Sequence, residues 1–165
     1  MTSGRRKWSR PEKPDQIVSN TSPIIALSYV GDLPILHRLF KSDIIIPPAV
    51  GHELRGQVLA PWITIHKPGQ PPDAQITRSA LGAGESEAIA LALEIQADLV
   101  LLDDQAARRL AAALHLPLMG TLGLLLKAKD AGLISAVRPK LEALQALPFH
   151  IAPRLLEAVL REAHE

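Results

Sequence analysis

Residues Gly84–Arg109 read GESEAIALALEIQADLVLLDDQAARR, and this stretch decides the fold class. Its first half predicts a helix over 85–96, with Glu85 and Glu87 in the first turn favouring the positive end of the helix dipole. Leu99–Leu102 is an apolar run too short for a helix and suited to a buried strand. Asp103 and Asp104 stand where that strand ends, and a second helix is expected from Gln105 to about Leu114. A helix, a strand and a helix in close succession are the unit of an α/β protein, whose chemistry lies beyond the carboxyl ends of its strands. Two adjacent carboxylates repel each other and are costly to desolvate unless a cation neutralises them. Asp103 and Asp104 therefore point to a metal or a basic partner near the sheet edge.

Working outward, the same alternation continues in both directions. Gln16–Ser19 is a strand candidate ending at Asn20. Thr21 or Ser22 can cap a helix that has Pro23 in its first turn and stops at Gly31. Asp32 can cap a second helix over 33–41. Ile44–Ile46 predicts a strand, and Pro47 and Pro48 open a helix through about Gln57. Trp62–His66 is a further strand candidate, followed by a Pro/Gly loop over 67–73 and a weak helix over 74–81. Leu116–Met119 predicts a last strand. Thr121 can cap the helix that ends at Gly132, and amphipathic helices are expected over 139–147 and 153–163. Short strands alternating with helices imply a mostly parallel sheet with helices on its faces.

Composition bounds the rest. The chain has 165 residues, 47% apolar, with a mean hydropathy of +0.13 and only 3% aromatics. It is long enough for one domain with a real core, and that core should be aliphatic. We read residues 1–15 as a basic, flexible tail and 16–165 as a single domain. Arg5, Arg6, Lys7, Arg10 and Lys13 against Glu12 give the first thirteen residues a charge of +4, while the whole chain carries +1. Such an arm can meet phosphate, but a solvated tail is the better reading of it. The absence of Cys excludes disulfides and thiolate metal sites and agrees with a cytoplasmic location. No apolar run approaches the roughly 18 residues of a membrane span.

Several motifs fail on inspection. His52-Glu53-Leu54-Arg55-Gly56 begins like a zinc-protease helix but has Gly56 in place of the second His. Gly82-Ala83-Gly84 lacks the third glycine of a dinucleotide loop, follows no strand and is followed by Glu85 and Glu87. There is no phosphate-binding G-K-[ST] and no G-x-S-x-G elbow. What remains is a set of oxygen donors at strand ends and helix starts, namely Asn20, Glu53, Glu85, Glu87, Asp103 and Asp104. Oxygen-only ligands without Cys or clustered His suit Mg²⁺ or Mn²⁺. Each residue taken singly also has a structural reading, since Glu belongs at a helix start and Asp104 is a good N-cap for QAARRLAAAL.

The blocks IVSNTSPIIAL, IIIPPAVGHEL, GESEAIALALEIQADLVLLDDQAARRLA and PLMGTLGLLLKAKDAGLI together resemble the PIN-domain superfamily. More narrowly, they resemble a prokaryotic branch long known only as a domain of unknown function. The resemblance implies a three-layer α/β/α fold with a mostly parallel sheet. It also implies a ribonuclease of the toxin type that uses Mg²⁺ or Mn²⁺ in a ring of acidic residues. Carried over by position, the ring falls on Asn20, Glu53, Glu87 and Asp103, with Asp104 adjacent and Glu85 peculiar to this branch. Glu53, Glu85, Glu87, Asp103 and Asp104 would then be the metal candidates. Asn20 departs from the usual Asp: its amide oxygen can ligate a cation but brings no negative charge.

The expectation is a metal-dependent endoribonuclease, the toxin of a toxin–antitoxin pair, acting on RNA as a homodimer with a cognate antitoxin. Arg108 and Arg109 are the candidates for phosphate contact. Asn20 motivates an alternative, a catalytically weak PIN-like module that binds nucleic acid or protein. A helix-turn-helix over 108–126 with Gly120 in the turn is the third reading, and GLLLKAK is too apolar for a base-reading helix.

Overall fold

In the computed structural model, which describes residues 14–148 and 150–165, five three- or two-residue strands form one sheet. They are β1 (Ile17–Ser19), β2 (Ile44–Ile46), β3 (Ile63–Ile65), β4 (Leu99–Leu101) and β5 (Leu118–Met119). Their order is β3-β2-β1-β4-β5, and every neighbouring pair is parallel. The central strands β1, β2 and β4 are buried throughout, as strands covered on both faces must be.

Alternation divides their side chains between two cores. Ile17, Ile44, Ile46, Leu99 and Leu101 point to one face. There they meet α1 (Thr21–Tyr29), α2 (Ile35–Phe40), α7 (Thr121–Asp130), α8 (Arg138–Leu144) and α9 (Pro153–Glu162). Val18, Ile45, Val100 and Leu102 point to the other, against α4 (Ala74–Thr77), α5 (Ala83–Glu94) and α6 (Gln105–Ala113). The remaining helix, α3 (Pro48–Glu53), packs on α5. This is the three-layer α/β/α arrangement expected from the sequence.

The strand order reverses between β1 and β4. The chain leaves β1 toward β2 and β3, then returns through α4 and α5 to β4 and continues outward to β5. Such a reversal opens a crevice at the carboxyl ends of the two strands, where α/β proteins bind ligands. Asn20 follows β1 and Asp103 lies just beyond β4, so both stand at this crevice, Asn20 buried and Asp103 half-buried.

Local corrections concern helix ends. The helix expected through Gln57 ends at Glu53, because Leu54 leaves helical geometry and Gly56 takes φ +86°. The helix expected over 74–81 ends at Thr77, and Ala80 lies in the left-handed region. Asp32 does not cap α2, whose N-cap is Pro34; it pairs with Lys140 instead. The helix-turn-helix reading fails, since β5 lies between α6 and α7 and the α7 residues Leu124 and Leu125 are buried. The predicted basic tail lies outside the described residues except for Pro14 and Asp15.

Candidate functional site

Three helices around the crevice start with a residue that has no polar side chain to cap them: Pro47 before α3, Gly82 before α5 and Gly120 before α7. Each therefore leaves backbone N–H groups without a local acceptor. The acidic residues singled out by sequence supply the acceptors from elsewhere in the chain. Glu53 Oε1 accepts from the Gly84 N–H at 3.1 Å, in the first turn of α5. Glu87 Oε2 accepts from the Ala49 N–H at 2.8 Å, in the first turn of α3. Each of the two helices thus caps the other. Asp103 Oδ1 accepts from the Thr121 N–H at 2.7 Å, at the start of α7.

Two threonines complete these contacts. The Thr21 hydroxyl, directly after Asn20, donates to Glu53 Oε2. The Thr121 hydroxyl donates to Asp103 Oδ2 at 2.6 Å, so both oxygens of Asp103 are held by one residue. The sequence suggested Thr121 as a cap for its own helix. Gly120 takes that position, and the freed hydroxyl orients Asp103. Burial pushes the Asp103 carboxyl above its usual range, against the opposing pull of the two Thr121 hydrogen bonds and the Arg108 charge.

Two glycines make the approach feasible. A Cβ on Gly84 would stand 2.6 and 2.8 Å from the Glu53 carboxylate oxygens. A Cβ on Gly120 would stand 2.9 Å from Asp103 Oδ1 and 3.0 Å from Arg108 Nη1. Sequence reasoning passed over Thr21, Thr121, Gly84 and Gly120 as members of the site. A glycine or proline at an N-cap, with acidic residues unexplained elsewhere, is the signal that could have exposed them.

Asn20 differs from the acids. It is 1% exposed, its N–H donates to Leu101 O at 3.0 Å, and its carbonyl accepts the Ser19 hydroxyl at 2.8 Å. Its side-chain Oδ1 is buried with no hydrogen-bond partner among the described residues. An orphaned acceptor of this kind costs roughly 1–3 kcal/mol unless a donor or cation meets it.

A protein-family model described as a PIN domain matches residues 16–165. This chain belongs to the PIN domain family. Neither a curated protein nor a solved structure matches it. PIN domains are nuclease-type proteins that act on RNA and generally use divalent metal ions.

The donor chemistry of this PIN domain fits a hard divalent ion in part. All the candidate ligands are oxygens, and the buried Asn20 Oδ1 is an acceptor without a donor among the described residues. A carboxylate has about four acceptor positions, so one bonded to protein can still ligate. However, no three His, Cys, Asp or Glu side chains among the described residues stand close enough to hold one ion.

The other candidates are placed as follows. Asp104 is exposed and caps its own helix α6, accepting from the Ala107 N–H at 2.8 Å. The half-buried Glu85 turns its carboxylate back against Gly82 at the start of its own helix. Arg108 is half-buried, donates to Leu102 O at 2.7 Å and exerts its charge on Asp103. Arg109, one residue on, is exposed. Among the described residues no helix is long and apolar enough to cross a membrane.

Proposed function

We propose that this PIN domain is a metal-dependent endoribonuclease, the toxin of a toxin–antitoxin pair acting in the cytoplasm. The observation that carries the reading is the buried, partnerless Asn20 Oδ1 in the crevice where β1 and β4 end. In the reading, Asn20, Glu53, Glu87 and Asp103 would hold Mg²⁺ or Mn²⁺ once the carboxylates shift from the helix caps they make here, with Asp104 and Glu85 as outer carboxylates. When bound, such an ion lowers the pKa of water and neutralises a scissile phosphodiester. Thr121 fixes the direction of both Asp103 oxygens, and Thr21 does the same for one oxygen of Glu53. Arg108 has one arm committed to Leu102 O and keeps its other N–H donors for a phosphate, with Arg109 alongside. The protein acts as a homodimer silenced by its cognate antitoxin.

The test is cleavage of RNA with Mn²⁺ by the wild type, Glu87→Gln and Asp103→Asn. Strong loss in both variants supports the reading, and equal rates in all three end it.

One observation favours a second reading, a binding module without efficient catalysis. The acids already serve as helix caps, and no three of them group for an ion among the described residues. Calorimetry with Mn²⁺ separates the two. No heat at millimolar ion in the wild type, with binding appearing in Asn20→Asp, selects the module.

A further inference from the structure

Glu53 and Glu87 are tied into each other's helices in a closed loop. Glu53 is the last residue of α3, and its Oε1 accepts from the Gly84 N–H in the first turn of α5. Glu87 stands one turn into α5, and its Oε2 accepts from the Ala49 N–H in the first turn of α3. Each carboxylate is therefore carried by the helix that the other one caps. The two helices also pack on each other, so a shift at one helix start reaches the other. Asp103 has no such counterpart, because α7, which it caps, carries none of the other candidate ligands.

Glu165 shows the same kind of cap with its charge balanced. Helix α8 begins after Val137, which has no polar side chain, and the two Glu165 oxygens accept from the Val137 and Arg138 N–H groups at 2.6 and 2.9 Å. Lys129 Nζ stands 2.7 Å from that carboxylate and neutralises it. Among the described residues Glu53 and Glu87 form no ion pair. The partial positive charge of a helix start is all that faces Glu87, and Glu53 has the Thr21 hydroxyl besides. A divalent cation therefore competes with backbone N–H groups for these two carboxylates.

The two uses exclude each other in the capped arrangement, since no three His, Cys, Asp or Glu side chains among the described residues stand close enough for one ion. When Glu53 turns away, the first turn of α5 loses an acceptor that Gly82 cannot replace, and the helix carrying Glu87 loosens. When Glu87 turns away, α3 loses its acceptor in the same way, because Pro47 has none to offer. A ligand can select between two such arrangements when it prefers one of them.

We infer that Glu53 and Glu87 form a two-state switch. Both cap the facing helix, or both turn to ligate a divalent cation, and neither does so alone. The inference rests on the metal-dependent reading and adds its regulation: the strength of the two helix caps sets the ion concentration at which the site loads.

The test follows backbone amide exchange by NMR in the full chain during titration with Mg²⁺ alone, with binding measured in parallel by calorimetry. Exchange at Ala49 and Gly84 is read relative to Val137 and Arg138, so that any global stabilisation cancels. Both amides are expected to lose at least about fivefold in protection, the contribution of one helix cap. They should do so along a single Mg²⁺ isotherm. Gly82→Ser gives α5 a cap of its own. Gly82 is exposed at φ −61°, a value open to any residue, and a Cβ there meets only the flexible end of the Glu85 side chain. With Glu53 relieved, the Mg²⁺ dissociation constant should fall about two- to fivefold, and Gly84 should stay protected in the loaded protein. A thermal melt checks that the variant folds.

If Mg²⁺ binds the wild type while Ala49 and Gly84 keep their protection, caps and ion coexist; the switch is wrong and the nuclease reading stands. Loss of protection at only one of the two amides, or an unchanged dissociation constant in Gly82→Ser, also removes the switch. If neither Mg²⁺ nor Mn²⁺ gives heat at millimolar concentration, the metal-dependent reading falls and the switch falls with it.

Discussion

The two sides of the crevice use carboxylates differently. On the α3–α5 side, Glu53 and Glu87 bond across to each other's helix, each to a backbone N–H that its own N-cap residue cannot satisfy. On the β4–β5 side a single carboxylate, Asp103, is gripped at both oxygens by Thr121, faces Arg108 and opens into a 610 Å³ cleft. The first side is a reciprocal brace between two helices. The second is one oriented group at the mouth of a cavity. Position on the same sheet edge thus leaves acidic residues with unequal duties. A variant of the brace carboxylates should cost stability as well as activity, and a variant of the oriented group should show itself mainly in function.

The largest expected effect breaks the oriented side. Asp103→Asn should lower Mn²⁺-dependent RNA cleavage by at least about 100-fold, beyond the 10–100-fold typical of residues that only orient a ligand. Thr121→Val keeps the volume and removes the hydroxyl. It should fall within that 10–100-fold range, and Thr121→Ser should restore most of the loss because the hydroxyl returns. A Thr121→Val enzyme cutting RNA at the wild-type rate would remove the distinction between the two sides.

The brace is sharpened by stability measurements. Gly84→Ala drives a Cβ into the Glu53 carboxylate and should cost roughly 1–2 kcal/mol through loss of the cross-helix cap. For a chain of this size, a melt would register each kcal/mol as about 2–4 °C. Asp104→Ala, which removes only the local cap of α6, should cost about 1 kcal/mol. A larger loss from Asp104→Ala than from Gly84→Ala would mean that the brace contributes less than an ordinary cap.

The smallest effect concerns a carboxylate outside the lining of the cleft. Glu165, just beyond α9, accepts hydrogen bonds from Lys129, the Val137 N–H and the Arg138 N–H. Those donors hold its carboxyl at about 2, below its ordinary 4.5. Because the folded value is the lower one, its stabilisation is complete above pH 4.5 and is lost as pH falls toward about 2. Urea midpoints measured across that window should fall less steeply in Glu165→Gln than in the wild type.

The strands and their order of appearance were legible because β-branched and Leu runs between Pro, Gly and Asn carry their own signal. Ile44–Ile46 matches the sequence expectation to the residue, and Leu99–Leu102 differs from it by one. The positions of Glu53, Glu87 and Asp103 on one sheet edge followed from the fold class. What those side chains touch was not legible. A cap supplied from 31, 38 or 18 residues away leaves no trace in a local window, so Thr121 was assigned to its own helix. The cleft was hidden for the same reason, since its lining extends from Asp103 to Glu162 and exists only after α9 has packed.

The exchange of caps between helices has an evolutionary corollary. A relative of this protein without any nuclease activity would still be selected to keep Glu53, Glu87 and Asp103, because they cap the first turns of α5, α3 and α7. Retention of those acids in a related gene is then a poor witness to activity. Asn20 carries no such obligation through its side-chain oxygen, and the residue found there is the better guide to which relatives are working nucleases.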